Sequence, residues 1–277
     1  MLLVFFLFKS SNLALEKFGF NFFISSEWDP SSETYGALPF IYGTAVTSIL
    51  AILMALPVSI STAIFLTEVA PTQIRSTFRM LIELLAAIPS VVYGLWGIFV
   101  LAPFVKTWIQ PFLKQHTAWM PLFQGPPMGI GILSASIALA IMIVPTITTI
   151  TIEVFKAIPD LYREGAKALG ATKWETIKLA VLKPGTAGIF AATILGLGRA
   201  IGETMAVTML IGNRATIAKS LFSPGATLAS VIANEYAEAS SDLHLSALTA
   251  VGLALLLVSL VVNLFARLVV WKIKRGQ

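Results

Sequence analysis

The sequence predicts an all-α membrane protein: a polytopic helix bundle with five complete spans and a truncated first helix. Three observations predict it. Of the 277 residues, 57% are hydrophobic and only 12% charged, a balance that excludes an ordinary soluble domain. Five apolar runs are each long enough, at about 1.5 Å of rise per residue, to cross a hydrocarbon layer about 30 Å thick. Nowhere do stretches of about ten residues alternate apolar and polar as barrel strands do. The whole chain, 1–277, reads as one transmembrane domain.

The elements follow in order. Met1-Leu-Leu-Val-Phe-Phe-Leu-Phe8 is apolar but only about 12 Å long as a helix, too short to span. It lacks the basic flank and small-residue cleavage site of a signal peptide. It reads as the outer end of a first membrane helix, or else as an interfacial anchor. Residues 9–38 form a polar loop with Glu27, Asp29, Pro30 and Gly36. The first complete span runs from 39 to about 67 and carries Pro57; a polar link with Pro71, Arg75 and Arg79 follows. The second runs from 80 to about 105 with Pro89, Gly94, Gly97 and Pro103, then a loop to 127. The third runs from 128 to about 152 with Pro145. Residues 153–185 are the longest charged segment, 186–212 the fourth span, and 213–245 a polar stretch with a short helix over 226–239. The fifth span runs from 246 to about 271, before a basic tail. Prolines inside spans are tolerated where neighbours or cavity water satisfy the freed carbonyls, which suits a transport protein better than an inert anchor.

Lysine and arginine set the orientation. With strict alternation, one side holds Arg75, Arg79, Lys156, Arg163, Lys167, Lys173, Lys178, Lys183, Arg267, Lys272, Lys274 and Arg275. The other holds Lys9, Lys17, Lys106, Lys114, Arg214 and Lys219. The first side is therefore expected in the cytoplasm, with the C-terminus. The net charge of +5 is thus a topology signal and needs no nucleic acid. The chain has no cysteine, and His116 and His244 lie in separate polar stretches, so neither a disulfide framework nor a metal site is expected. No Gly-rich phosphate loop marks an ATP site. Trp108, Trp119 and Trp271 read as interface anchors.

Two stretches carry the functional signal. In the fourth span, Gly196-Leu-Gly-Arg-Ala-Ile-Gly-Glu-Thr204 sets Arg199 and Glu203 four residues apart among small and apolar residues. That spacing puts both on one helix face. A charge near the bilayer midplane costs at least a few kcal/mol and faces protein or water. Two readings fit: a pair that neutralises itself inside the bundle, or a pathway site. Gly198 with Gly202, and Gly188 with Ala192 and Gly196, offer small-residue faces for close helix approach. In the charged segment, 159–170 reads as a short helix with Asp160 as N-cap and Gly170 as its left-handed stop. Thr172-Lys-Trp-Glu175 has capping-box spacing and starts a second helix that Pro184 ends near 182. Leu161, Tyr162, Ala166 and Leu169 on this helix pair form either a partner surface or a face packed on the chain's own helix ends.

Glu164-Gly-Ala166, Gly170, and Leu182 with a nearby proline resemble the EAA loop of ABC-importer permeases, with Gly165 in place of the commoner alanine and the proline one residue late. Further segments resemble the PstC family of phosphate-importer permeases: Ala37-Leu-Pro-Phe-Ile-Tyr-Gly-Thr44, Glu83 to Gly97, Gly196 to Val207, and Ala233-Asn-Glu-Tyr-Ala-Glu-Ala239. The resemblance implies the type I ABC-importer permease (MetI-like) fold and an ATP-driven importer for inorganic phosphate. It implies a PstA-like sister permease, a PstB-like ATPase dimer and an extracytoplasmic phosphate-binding protein as partners, with ATP hydrolysis left to the ATPase and no cofactor on this chain. Residues 153–185 would be the cytoplasmic coupling loop, with Glu164, Gly165, Ala166 and Gly170 docking on the ATPase. Arg199 and Glu203 would line the substrate pathway. An arginine fork suits phosphate oxygens, and a carboxylate could accept the proton that phosphate keeps and sulfate lacks. Glu83 reads as an interfacial or structural acid, the threonines at 146, 148, 149 and 151 as helix–helix hydrogen-bonding groups or the lining of a polar path, and Glu235, Glu238 and Asp242 as a solvated face or a contact for the binding protein. Alternatives are a permease for another oxyanion (sulfate, molybdate or phosphonate) and a stand-alone secondary transporter, which would need no coupling loop.

Overall fold

The computed structural model describes residues 2–117 and 119–275. Its helices are α1 (Leu2–Ser10), α2 (Asn12–Phe18), α3 (Asn21–Ile24), α4 (Leu38–Val69), α5 (Thr72–Ala87), α6 (Ser90–His116), α7 (Ile132–Lys156), α8 (Asp160–Ala168), α9 (Lys173–Gly202), α10 (Met205–Ile211), α11 (Leu228–Glu235) and α12 (Asp242–Lys272). A two-residue antiparallel ladder pairs β1 (Trp28–Asp29) with β2 (Thr34–Tyr35). Among the described residues, five helices are long and apolar enough to span a membrane: α4, α6, α7, α9 and α12. The chain is a multi-pass membrane protein.

Span boundaries move where local geometry outweighs hydropathy. The second span does not start at residue 80. Ile88 and Pro89 are extended (ψ 128° and 142°), and the stretch before them is the separate amphipathic helix α5, which has no buried residue. Proline disfavours a helical predecessor, which places the break at Ile88. The span instead runs on through the expected loop to His116. The fourth span begins at Lys173 and ends at Gly202, not at Gly212. Pro184 does not stop it, nor does Pro103 stop α6. In each case a π-turn ends two residues before the proline: Gly97–Leu101 before Pro103, Val105–Ile109 before Pro111, and Ile177–Leu182 before Pro184. The Lys183 N–H reaches back to the Lys178 carbonyl. The widened turn makes room for the ring that would otherwise strike the carbonyl four residues earlier.

Two compact units divide the chain. The first comprises Met1–Ala51, Pro89–Leu139 and Ala200–Leu260. Its core joins Phe22, Tyr35, Phe40, Leu228, Val231, Leu248 and Val251, with Trp28 edge-on to Tyr35 and Phe40 at 5.0 and 4.9 Å. Helix α1 lies along α12, where Thr249 donates to the Ser10 carbonyl. The Tyr42-Gly-Thr44 turn of α4 pins the 218–228 segment three ways. Tyr42 donates to the Ala218 carbonyl, Thr44 accepts from the Leu228 N–H, and Gly43 meets the Ala226 carbonyl where a Cβ has no room. Gly94 and Gly97 likewise let α6 close on α10, a Cβ at either falling 2.5 Å from Met209 or Leu210. In the β1–β2 turn, Ser31 and Ser32 donate to the Asp29 carboxylate and hold it below its ordinary pKa, and burial pushes the Tyr35 phenol up.

The second unit comprises Ile52–Ile88, Ala140–Arg199 and Val261–Gln277. Its core joins Ala63, Leu66, Ile152, Phe155 and Val181. Along α9, Gly188 and Gly196 abut Val154 and Ile147 with no space for a Cβ, and Ala192 is fully buried between them. This is the small-residue face the sequence predicts. The other small pair is not packed: nothing lies within 4 Å of a Cβ at Gly198 or Gly202.

Candidate functional site

The close approach at Gly196 fixes what stands on the next turn of α9. Arg199, three residues on and on the same side, meets Thr146 of α7. Its Nη1 donates to the Thr146 Oγ1 at 3.0 Å, and this is its one hydrogen bond among the described residues. A guanidinium has five N–H donors, so most remain for an anion. Arg199 is half-buried, which strengthens its field beyond that of a surface arginine.

Glu203 lies one residue past the end of that helix. Helix α9 ends at Gly202, and Thr204 takes φ −107°, ψ −63° at the start of α10. The Glu203 carboxylate accepts from the Ala206 N–H at 3.3 Å. It thus caps α10, where the helix dipole favours an anion. The helix therefore ends at Gly202, between the two charges, and the chain restarts as α10.

The 159–185 segment is ordered as its sequence predicts, with one correction. Asp160 is not the N-cap. Pro159 holds that position, and Asp160 instead accepts from Arg163 Nη1 at 3.1 Å. At the other end, the Gly170 N–H bonds the Lys167 carbonyl and the Ala171 N–H the Ala166 carbonyl, with Gly170 at φ +83°. That is a Schellman turn, which glycine makes at no steric cost. Thr172 and Glu175 cap each other reciprocally. Glu164, Gly165 and Gly170 are exposed and Ala166 half-buried. Leu161, Tyr162, Leu169 and Trp174 are 75, 57, 91 and 62% exposed, so this face is not packed on the chain's own helix ends.

Sequence reasoning missed what anchors α8. Arg163 Nη2 bonds Glu68 at 2.9 Å, and its other nitrogens reach the Glu68 carboxylate at 3.3 Å and the Ile158 carbonyl at 2.9 Å. Nη2 also reaches the Phe155 carbonyl at 2.9 Å, at the end of α7. The two side chains are 15 and 12% exposed. Arg163 therefore ties α8 to the ends of both α4 and α7, while serving α7 as a cation at its C-terminus. Glu68 lies 95 residues from Arg163, and no local spacing signals the pair.

Glu83 pairs with Arg79 at 3.0 Å, the structural role expected of it. Thr148 and Thr151 donate back to carbonyls four residues earlier on α7, whereas Thr146 does not share that pattern. In the first unit, Glu235 accepts from Trp28 Nε1 at 2.9 Å and lies 3.1 Å from His244 Nε2. It is held within the fold, while Glu238 and Asp242 are exposed.

A helical membrane chain, with an exposed and separately anchored helix between two spans and a half-buried arginine within one, is the architecture of a transport permease. The chain belongs to the family of binding-protein-dependent transport system inner membrane components, whose profile matches residues 55–275. Among its relatives is the phosphate transport system permease protein PstC of Mesorhizobium japonicum, 47% identical over 96% of this chain and 83% of that protein. The PstC of Xylella fastidiosa strain Temecula1 is also 47% identical, over 95% of this chain and 82% of that one. The archaeal protein named as a probable PstC in Methanocaldococcus jannaschii is 38% identical, over 95 and 85%. Among solved structures, the fold matches a chain of the inward-facing MetNI methionine ABC transporter with a TM-score of 0.61. That match covers 84% of this chain and 94% of that one at 14% identity, and it is a likeness of fold alone.

Proposed function

We propose that this chain is the PstC-type permease subunit of an ATP-driven importer of inorganic phosphate, sharing the pathway with a PstA-like sister permease. The observation that carries the reading is Arg199: a half-buried guanidinium with one donor spent, in a chain 47% identical to proteins named as phosphate transport permeases. Phosphate arrives from an extracytoplasmic binding protein and passes Arg199. Glu203 accepts the proton of hydrogen phosphate and repels fully ionised sulfate. The chain moves phosphate and breaks no bond; hydrolysis belongs to a PstB-like ATPase dimer.

The lysine and arginine asymmetry supports a cytoplasmic location for α8 and the C-terminus. On that side, Glu164, Gly165, Ala166 and Gly170 form the coupling surface. Exposed Leu161, Tyr162, Leu169 and Trp174 would be the apolar part of the footprint on the ATPase, and the Arg163–Glu68 tie the route by which its motion reaches α4.

Phosphate uptake into proteoliposomes holding the full complex, with and without this chain, tests the proposal. Arg199→Ala should abolish uptake while the complex still assembles. Normal uptake by that variant would overturn the pathway reading and leave Arg199 a structural bond to Thr146. Transport of sulfate, molybdate or phosphonate in place of phosphate would assign the chain to another oxyanion.

A further inference from the structure

We propose that Thr146 is a second substrate-contact residue, donating its hydroxyl proton to the phosphate that Arg199 holds; the inference rests on the pathway reading of Arg199. The hydrogen bond between the two runs one way: Arg199 Nη1 donates and Thr146 Oγ1 accepts at 3.0 Å. A hydroxyl that accepts keeps its own proton to give. Threonines inside helices ordinarily give that proton to the carbonyl one turn back. Thr148 and Thr151 of the same helix do so at 2.7 Å, and Thr193 of α9 at 2.8 Å. For Thr146 no such bond forms among the described residues.

The position is also fixed rather than incidental. Gly196 and Ile147 are in direct contact, so Thr146 cannot be moved away from Arg199 without parting the two helices. Thr146 is half-buried, like Arg199. The pair therefore presents a charged fork and a neutral O–H donor from two helices, already oriented by their mutual bond. An oxyanion bridging the two meets complementary donors without reorganisation, which is the arrangement that lowers the cost of binding.

Thr146→Val keeps the shape and removes the hydroxyl. In proteoliposomes holding the complex, binding protein and ATP, phosphate uptake should fall about tenfold, the effect of losing one hydrogen bond to a charged group. Hydrolysis of ATP stimulated by the loaded binding protein should persist, so phosphate carried per ATP falls. Thr146→Ser should restore uptake. Thr146→Ala, which adds no bulk, repeats the test if the valine variant does not assemble. Uptake by Thr146→Val or Thr146→Ala within twofold of the parent, or no rescue by serine, overturns the inference. If Arg199→Ala abolishes uptake while both apolar variants transport normally, only the role of Thr146 fails. If Arg199→Ala transports normally, the pathway reading itself fails.

Discussion

Removing the Arg163 side chain should free α8 from the body of its unit. Arg163→Ala deletes bonds to Glu68, Asp160 and the carbonyls of Phe155 and Ile158. It leaves the Glu68 carboxylate 12% exposed without its cation. Breaking a fully buried pair from one side costs about 3–5 kcal/mol, chiefly for the charge left behind. With 15 and 12% of the side chains reaching solvent, screening places the cost at about 3 kcal/mol. At about 1.4 kcal/mol per decade, local opening becomes about a hundredfold more frequent. Amide hydrogen exchange over residues 162–169, followed by mass spectrometry on the complex, should accelerate by that factor while α7 amides near 140 stay protected. Arg163→Lys keeps the charge but loses the fork, and should fall between. In transport, the alanine variant should hydrolyse ATP with little phosphate carried. Exchange over 162–169 within threefold of the parent would refute the reasoning, since the tie would then hold nothing.

Other outcomes follow from single contacts. Gly43→Ala places a methyl against the Ala226 carbonyl, a backbone atom that cannot swing aside. It should lower stability by about 3 kcal/mol, the upper end for overpacking, read as an earlier thermal transition of the detergent-solubilised complex; an unchanged transition would count against the packing. Glu203→Gln should retain phosphate transport and lose discrimination against sulfate in competition uptake, whereas preserved discrimination would leave Glu203 only its cap on α10. Leu169→Glu, at a position 91% exposed, should abolish copurification with the ATPase without altering helix content; retained copurification would remove Leu169 from the contact. Asp29 is held below its ordinary pKa by Ser31 and Ser32. The folded form therefore binds the proton less readily than the unfolded chain, and the turn's stabilisation is present above about pH 4 and lost as pH falls further. The protection of amides in the 28–35 turn, taken as exchange relative to the intrinsic rate at each pH, should fall on acidification below that value in the parent and not in Asp29→Asn.

By itself the sequence determined the features that local chemistry enforces. Five spans were legible because the length of an apolar run must match the hydrocarbon it crosses. Gly170, Thr172 and Glu175 marked the end of one helix and the start of the next, since a helix terminus must satisfy its orphan groups within a few residues. The small face of Gly188, Ala192 and Gly196 was visible from its spacing, and its partners were not. Tertiary structure alone decided how prolines act: the same residue breaks the chain at Pro89 and is absorbed by a π-turn at Pro184, a choice set by packing around each turn. It also ended a helix between Arg199 and Glu203 and gave Arg199 to Thr146. The Arg163–Glu68 tie and the Trp28–Glu235–His244 cluster join residues far apart in the chain, Trp28 and Glu235 by 207 positions. A buried charge takes its partner from whatever the fold brings within reach, and a single sequence does not record that distance.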